Sequence, residues 1–233
     1  NARLRKQPGL HDILVDGEKA VRIAPAGRLE PAPEERDLQG RLVSAPYVES
    51  HIHLDYVYTA MTPEEETKSG TLFEAIDRWA DAKNSLSKEE IKERAMRGIR
   101  QEMRNGVQYI RTHVDVTEPK LTALKALLEL REEMKDRLYL QLIAFPQEGY
   151  YAYPGGDELV EEALRLGADV VGGIPHYEFT RELGEKSVKK AFALAEKYDR
   201  LVDIHCDETD DPQSRFVECI ASEAYYTGLG SRA

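Results

Sequence analysis

Six histidines occur among 233 residues, and two of them stand one residue apart in "PYVESHIHLD", residues 46–55. On a β-strand successive side chains point to opposite faces, so His51 and His53 share one face while Ile52 and Leu54 pack on the other. Two neutral imidazoles on one face suit a divalent ion such as zinc or iron. The same spacing also suits a pair of hydrogen-bonded histidines. His205 in "LVDIHCDE" is a candidate third ligand. Glu208, three residues on, stands close enough to a ligand to move protons yet free to face a substrate. It equally suits an acid complementing the dipole at the start of the next helix. Gln147 in "AFPQEG" offers a donor and an acceptor together, which fits a ring carbonyl beside an N–H, or a loop-pinning hydrogen bond. His113 in "RTHVDV" and His176 in "IPHYEF" fit ligation or support of a ligand, and Asp55 and Asp115 are carboxylates that could orient imidazoles. His11 is assigned no role.

The composition narrows the partners. Net charge is −11, spread over helical faces with no basic patch, which argues against nucleic acid and anionic membranes. The longest apolar runs, such as "LVSAPYV" and "LYLQLIAF", fall far short of a bilayer-spanning helix. Cys206 and Cys219 form neither a disulfide framework nor a zinc pair. "NARLRKQPGL" lacks the apolar core of a secretory signal, so a cytoplasmic protein is expected.

Two textures organise the chain. Residues 1–44 hold short apolar pieces, "DILVDG", "AVRIAP" and "RLVSAP", between turn residues, which predicts small antiparallel strands. From residue 45 to 233, apolar runs alternate with helical patterns, predicting a parallel sheet covered by helices. The strands are expected at 42–54, "VQYIRTHVDV", "LYLQLIAFPQEG", "ADVVGGIPHYEF" and "RLVDIHCDE". Ser87 and Glu90 form a capping-box signature, and Asn105-Gly106 closes the helix it opens. Five such units fit a doubly wound sheet or a (β/α)₈ barrel. The barrel is favoured because each strand carries its polar residues at its carboxyl end, where barrel enzymes assemble their sites. No Gly-x-Gly-x-x-Gly or Walker pattern follows any strand.

The stretches "PYVESHIHLD", "SGTLFEAIDRWA", "GVQYIRTHVDV", "AFPQEG", "EEALRLGADVVGGIPHYEFTRE" and "FALAEKYDRLVDIHCDE" resemble the bacterial cytosine deaminases of the amidohydrolase superfamily. The likeness runs from about Leu42 onward. It implies an α/β fold, a (β/α)₈ TIM barrel with strands 1–5 present here, preceded by part of a small β-sandwich in residues 1–44. It implies hydrolysis of an exocyclic ring amine with one divalent metal, Fe2+ or Zn2+. By this resemblance His51, His53 and His205 would be metal ligands and Glu208 the carrier of a proton from water to the ring nitrogen. Gln147 and the Leu72 backbone would bind the base. The lysine that bridges two metals in some superfamily members is missing from "GGIPHYEF", which favours a single ion. Cytosine to uracil plus ammonia is the leading reaction, with another cyclic amidine or amide (creatinine, isoguanine, a triazine) as the alternative. The expected partner is a small nucleobase, and a homo-oligomer is left open. The family's pattern continues with a sixth-strand histidine and an eighth-strand aspartate. Neither lies in these 233 residues, which alone are expected to fold poorly and be inactive.

Overall fold

Turn residues cut the N-terminal segment into short strands in the computed structural model, which describes residues 1–59 and 68–233. These are β1 (Arg3–Leu4), β2 (His11–Asp16), β3 (Lys19–Pro25) and β4 (Leu42–Val43). β2 and β3 pair antiparallel across a turn at Gly17, whose φ of +57° suits glycine. β4 corrects the expectation of uniformly antiparallel strands, because Leu42 and Val43 pair parallel to Arg3 and Leu4. A parallel pair needs a crossover rather than a hairpin, and the β2–β3 ribbon lies within that connection. These strands belong to a unit of their own, Asn1–Pro46, distinct from a second unit, Tyr47–Ala233.

In the second unit strands and helices alternate as β5 (Tyr47–Ile52), α1 (Leu72–Lys83), α2 (Lys88–Arg104), β6 (Val107–Asp115), α3 (Thr122–Met134), β7 (Tyr139–Phe145), α4 (Gly156–Leu166), β8 (Val170–Gly173), α5 (Arg181–Tyr198), β9 (Leu201–Ile204) and α6 (Phe216–Thr227). Local chemistry sets several of the ends. Ser87 and Glu90 form the expected capping box of α2, and Asn105 with Gly106 ends it. Thr71 and Thr180 cap α1 and α5 with their side chains. Gly167, at φ +116°, terminates α4.

The five strands of this unit are all parallel and lie in the order β5-β6-β7-β8-β9. Each strand pairs with its predecessor in sequence, so there is no point at which a doubly wound sheet would reverse. Period-two alternation divides the side chains between two faces. On the outer face Ile110, Leu140, Leu142, Ala144, Val171 and Val202 pack with residues of the helices, including Ile99, Leu124, Leu127, Val160, Ala191 and Phe192. On the inner face Ile143, Phe145 and Val170 form a smaller cluster with Ile174 and with Ile76 of α1.

The sheet curls toward that inner face. Strands lie about 4.8 Å apart, so in a flat sheet β5 and β9 would be separated by roughly 19 Å. Yet His51 Nε2 of β5 and His205 Nε2, one residue past β9, approach to 3.0 Å. The result is half of a barrel, as expected for the first five units of a (β/α)₈ fold. Among the described residues no helix is long and apolar enough to cross a membrane.

Candidate active site

The concave face brings four imidazoles together. His51, His53, His113 and His205 each offer a ring nitrogen, and these atoms all lie within 4.8 Å of one another. His51 Nε2 is 3.4 Å from His53 Nε2 and 3.0 Å from His205 Nε2. The alternation of β5 and its continuation aims both members of the sequence pair inward, and Ile52 and Leu54 pack in the outer core as expected. His113 joins them from β6, where its ring centroid is 4.7 Å from that of His51 and 5.0 Å from that of His53. Phe145 of β7 lies against the cluster, its ring centroid 4.5 Å from that of His205 and 5.5 Å from that of His53.

These groups are electrically suited to a cation. Burial, reinforced by the neighbouring histidines, pushes His53 down to about 2. Burial and the charges His113 and His51 would carry push His205 down to about 3. Both rings are therefore neutral near pH 7 and keep a lone pair for a Lewis acid. His113 Nε2 lies 3.3 Å from Asp203 Oδ1. A carboxylate accepts, so Nε2 carries the proton and Nδ1 the lone pair. The Nδ1 atoms of His53 and His113 are buried without a hydrogen-bond partner. The nitrogens that converge are instead the Nε2 atoms of His51, His53 and His205, with that of His51 3.4 Å from that of His53 and 3.0 Å from that of His205. Imidazole lone pairs facing one another so closely are costly unless a proton or a cation lies between them. The donor set thus fits a divalent metal bound through imidazole nitrogen.

Carboxylates hold the supporting framework, though not those expected. Asp203 is the acid on His113, and its second oxygen takes Arg111 Nη1 at 2.9 Å. Burial works against the Asp203 charge, but the bonds from His113 and Arg111 bring its pKa below the ordinary carboxylate value. Asp55 and Asp115, expected to orient imidazoles, are engaged elsewhere. Asp115 takes Trp79 Nε1 at 2.7 Å, Lys83 Nζ at 3.0 Å and the Thr117 N–H at 2.8 Å. Asp55 Oδ2 accepts the Asp115 N–H at 2.8 Å, and complete burial raises its pKa to about 7.

The other predicted residues surround the cluster. Gln147 stands two residues beyond Phe145, at the end of β7, and is buried. The loop after it is held by Glu178, whose carboxylate accepts the N–H groups of Tyr150 at 2.6 Å, Tyr151 at 3.2 Å and Ala152 at 2.8 Å. Leu72 opens α1 and packs against the inner cluster of Ile76, Ile143 and Phe145. Glu208 is exposed. Its charge is felt at Tyr56, whose ring centroid is 4.7 Å from that of His53, and at His176. His176 lies in a 3-10 turn, Pro175–Tyr177, outside the group of four. Lys83 was not singled out from sequence. Leu72, Ile76, Trp79 and Lys83 nevertheless share one helical stripe, and a lysine on an otherwise apolar stripe is the signal that marks it.

Comparison with known proteins agrees with this arrangement. Residues 34–232 match the amidohydrolase family. The structure of 5-methylcytosine deaminase from Klebsiella pneumoniae liganded with phosphonocytosine is 46% identical, with a TM-score of 0.90, covering 100% of this chain and 57% of that one. N-isopropylammelide isopropyl amidohydrolase from a Pseudomonas species is 32% identical over 211 residues, 88% of this chain and 51% of that protein. Pterin deaminase from Rhizobium rhizogenes is 25% identical over 229 residues, 94% of this chain and 49% of that protein. The chain spans about half the length of the curated relatives it matches. The extent of the family match, together with the inward-facing imidazoles on a curled parallel sheet, establishes that the chain belongs to the amidohydrolase family.

Proposed function

We propose that the protein carrying this chain hydrolyses the exocyclic amine of cytosine or a closely related base, releasing ammonia, with one iron or zinc ion. The observation that carries this reading is the convergence of His51, His53 and His205 beside Phe145, with Gln147 two residues further along the same strand end. Support also comes from the 46% identity to a deaminase of 5-methylcytosine.

His51, His53 and His205 would hold the ion through neutral ring nitrogens, with His113 packed among them. A divalent ion there supplies Lewis-acid chemistry that makes water nucleophilic near neutral pH. Phe145 and the inner apolar cluster exclude bulk water from one side of the ligands and give the base an apolar wall. Gln147 would present its amide oxygen and N–H₂ to a ring N–H and the neighbouring carbonyl. Glu208, exposed beyond β9, would take one proton from water at its carboxylate and return it to the ring nitrogen. The second water proton, given up by the added hydroxyl as it becomes the carbonyl, would pass to the amino group, which leaves as ammonia. Leu72 would frame the ring through its backbone at the start of α1.

The substrate is tested by ammonia release from cytosine, 5-methylcytosine, isoguanine, creatinine and pterin, and by isopropylamine release from N-isopropylammelide, using full-length protein loaded with zinc or with iron. Turnover led by the cytosines, abolished by chelator and restored by metal, is the expected result. Preference for N-isopropylammelide or pterin would move the substrate to another ring, and no turnover with any of them would overturn the reading.

A further inference from the structure

Lys83 is a buried ammonium that the chemistry above does not use. Its side chain is 5% exposed. Nζ donates to Asp115 Oδ2 at 3.0 Å, to Thr117 Oγ1 at 2.8 Å and to the carboxylate of Glu148. Burial by itself disfavours the Lys83 charge, but the charges of Asp115 and Glu148 outweigh it, so its pKa is raised. A charge enclosed this way fixes the geometry of its partners, because none of them can leave without stranding another.

The partners are informative. Asp115 ends β6, and its N–H is held by Asp55, two residues past His53. Glu148 is the neighbour of Gln147 at the end of β7. One ammonium on α1 therefore ties the strand end that carries His113 to the strand end that carries the recognition amide. Glu178 holds the same loop from the other side, at the backbone of residues 150–152. Gln147 directly precedes Glu148, and its own N–H bonds Phe145 O at 3.1 Å, so its backbone is held by the strand end on one side and by the Lys83 tie on the other.

We propose that Lys83 is a positioning residue, which sets where the Gln147 carboxamide stands relative to the four imidazoles by holding Glu148 and Asp115 together. The assignment rests on the reading that Gln147 contacts the base. Without the ammonium, Glu148 is a carboxylate beside Asp115 with no neutralising partner. Its side chain is already 20% exposed, so it would turn toward solvent and take the Gln147 backbone with it.

The test is a double-mutant cycle in the full-length, metal-loaded protein, with ammonia release as the assay. Gln147→Ala and Lys83→Met should each lower kcat/KM by about 10- to 100-fold, through KM more than kcat. Adding Lys83→Met to Gln147→Ala should change KM by less than about twofold, because the group being positioned is already gone. Metal content should stay at the wild-type level in every variant. Glu148→Gln supplies a second route, since it keeps the shape of the loop while weakening the tie. It should raise KM in the wild-type background and leave KM unchanged in Gln147→Ala, which keeps the inference decidable if Lys83→Met does not fold. Losses that multiply independently in active protein, or a wild-type KM in Glu148→Gln, overturn the positioning role alone. Wild-type protein without turnover on any base overturns the functional reading, and this role with it.

Discussion

The rings of His113 and His205 meet edge to face, with centroids 4.4 Å apart and planes at 85°. Asp203 joins them, hydrogen-bonded to His113 and placed two residues before His205 on β9. It fixes the His113 tautomer, and Arg111 fixes Asp203 in turn. Asp203→Asn removes the acceptor-only partner, frees the tautomer and takes away the Arg111 ion pair, leaving that guanidinium its bond to Gln141 Oε1 at 2.7 Å. Because the His113 ring packs against those of His51, His53 and His205, a reoriented His113 displaces the ligands and metal affinity should fall by about 10- to 100-fold. Competition against a chromophoric chelator measures this, and an unchanged affinity would separate Asp203 from the centre.

Glu208 carries the proton transfer in the proposed reaction while contributing little to the fold, since it is exposed. Glu208→Gln should therefore lower kcat by about 10²–10⁴-fold. Melting temperature and metal content should remain those of the wild type. A variant with full turnover would remove Glu208 from the chemistry.

Acidity should act on the metal-free protein through the imidazoles. His53 and His205 are held at about 2 and about 3, below the 6.5 of an unperturbed histidine. The folded state thus binds fewer protons than the unfolded state between those values. Their contribution to stability is present above pH 6.5 and is lost as pH falls through that window. Each should add up to about 1.4 kcal/mol per pH unit to the slope. Urea unfolding of chelator-treated protein from pH 7 to pH 4 should show this decline, with a shallower slope in His205→Asn. Identical slopes would contradict the burial and mutual repulsion assigned to these rings.

Backbone packing beside the site is equally open to test. A Cβ at Gly172 would stand 2.6 Å from Ala144 O and 2.9 Å from Phe145 Cα, both backbone atoms of β7. Gly172→Ala should force β8 away from β7 and cost about 1–3 kcal/mol, the usual range for an overpacked interior. Because Phe145 touches the imidazoles, metal affinity should fall with it. Wild-type stability in this variant would contradict the tight strand spacing.

Much of this architecture is legible in the residues. Apolar runs locate the strands, Ser87 and Glu90 mark the start of α2, and alternation puts His51 and His53 on one face. Polar residues at strand ends point to the concave side of a barrel rather than to a doubly wound sheet. Other features depend on contacts that no local pattern encodes. The parallel pairing of β4 with β1 is set by a partner about forty residues away. The choice of Asp203 over Asp115 as the acid on His113 follows from the curl of the sheet, which carries β9 toward β6 across the concave face. Lys83 becomes meaningful only when α1 is docked and its stripe meets Asp115 and Glu148.

Metal stoichiometry tests the central claim most directly. Full-length protein should hold about one equivalent of zinc or iron per chain by elemental analysis, removable by chelator. His51→Asn and His205→Asn should each abolish stoichiometric binding while leaving the circular dichroism spectrum intact. Stoichiometric metal that survives both substitutions, or wild-type protein that takes up none, would contradict a shared ion among these imidazoles.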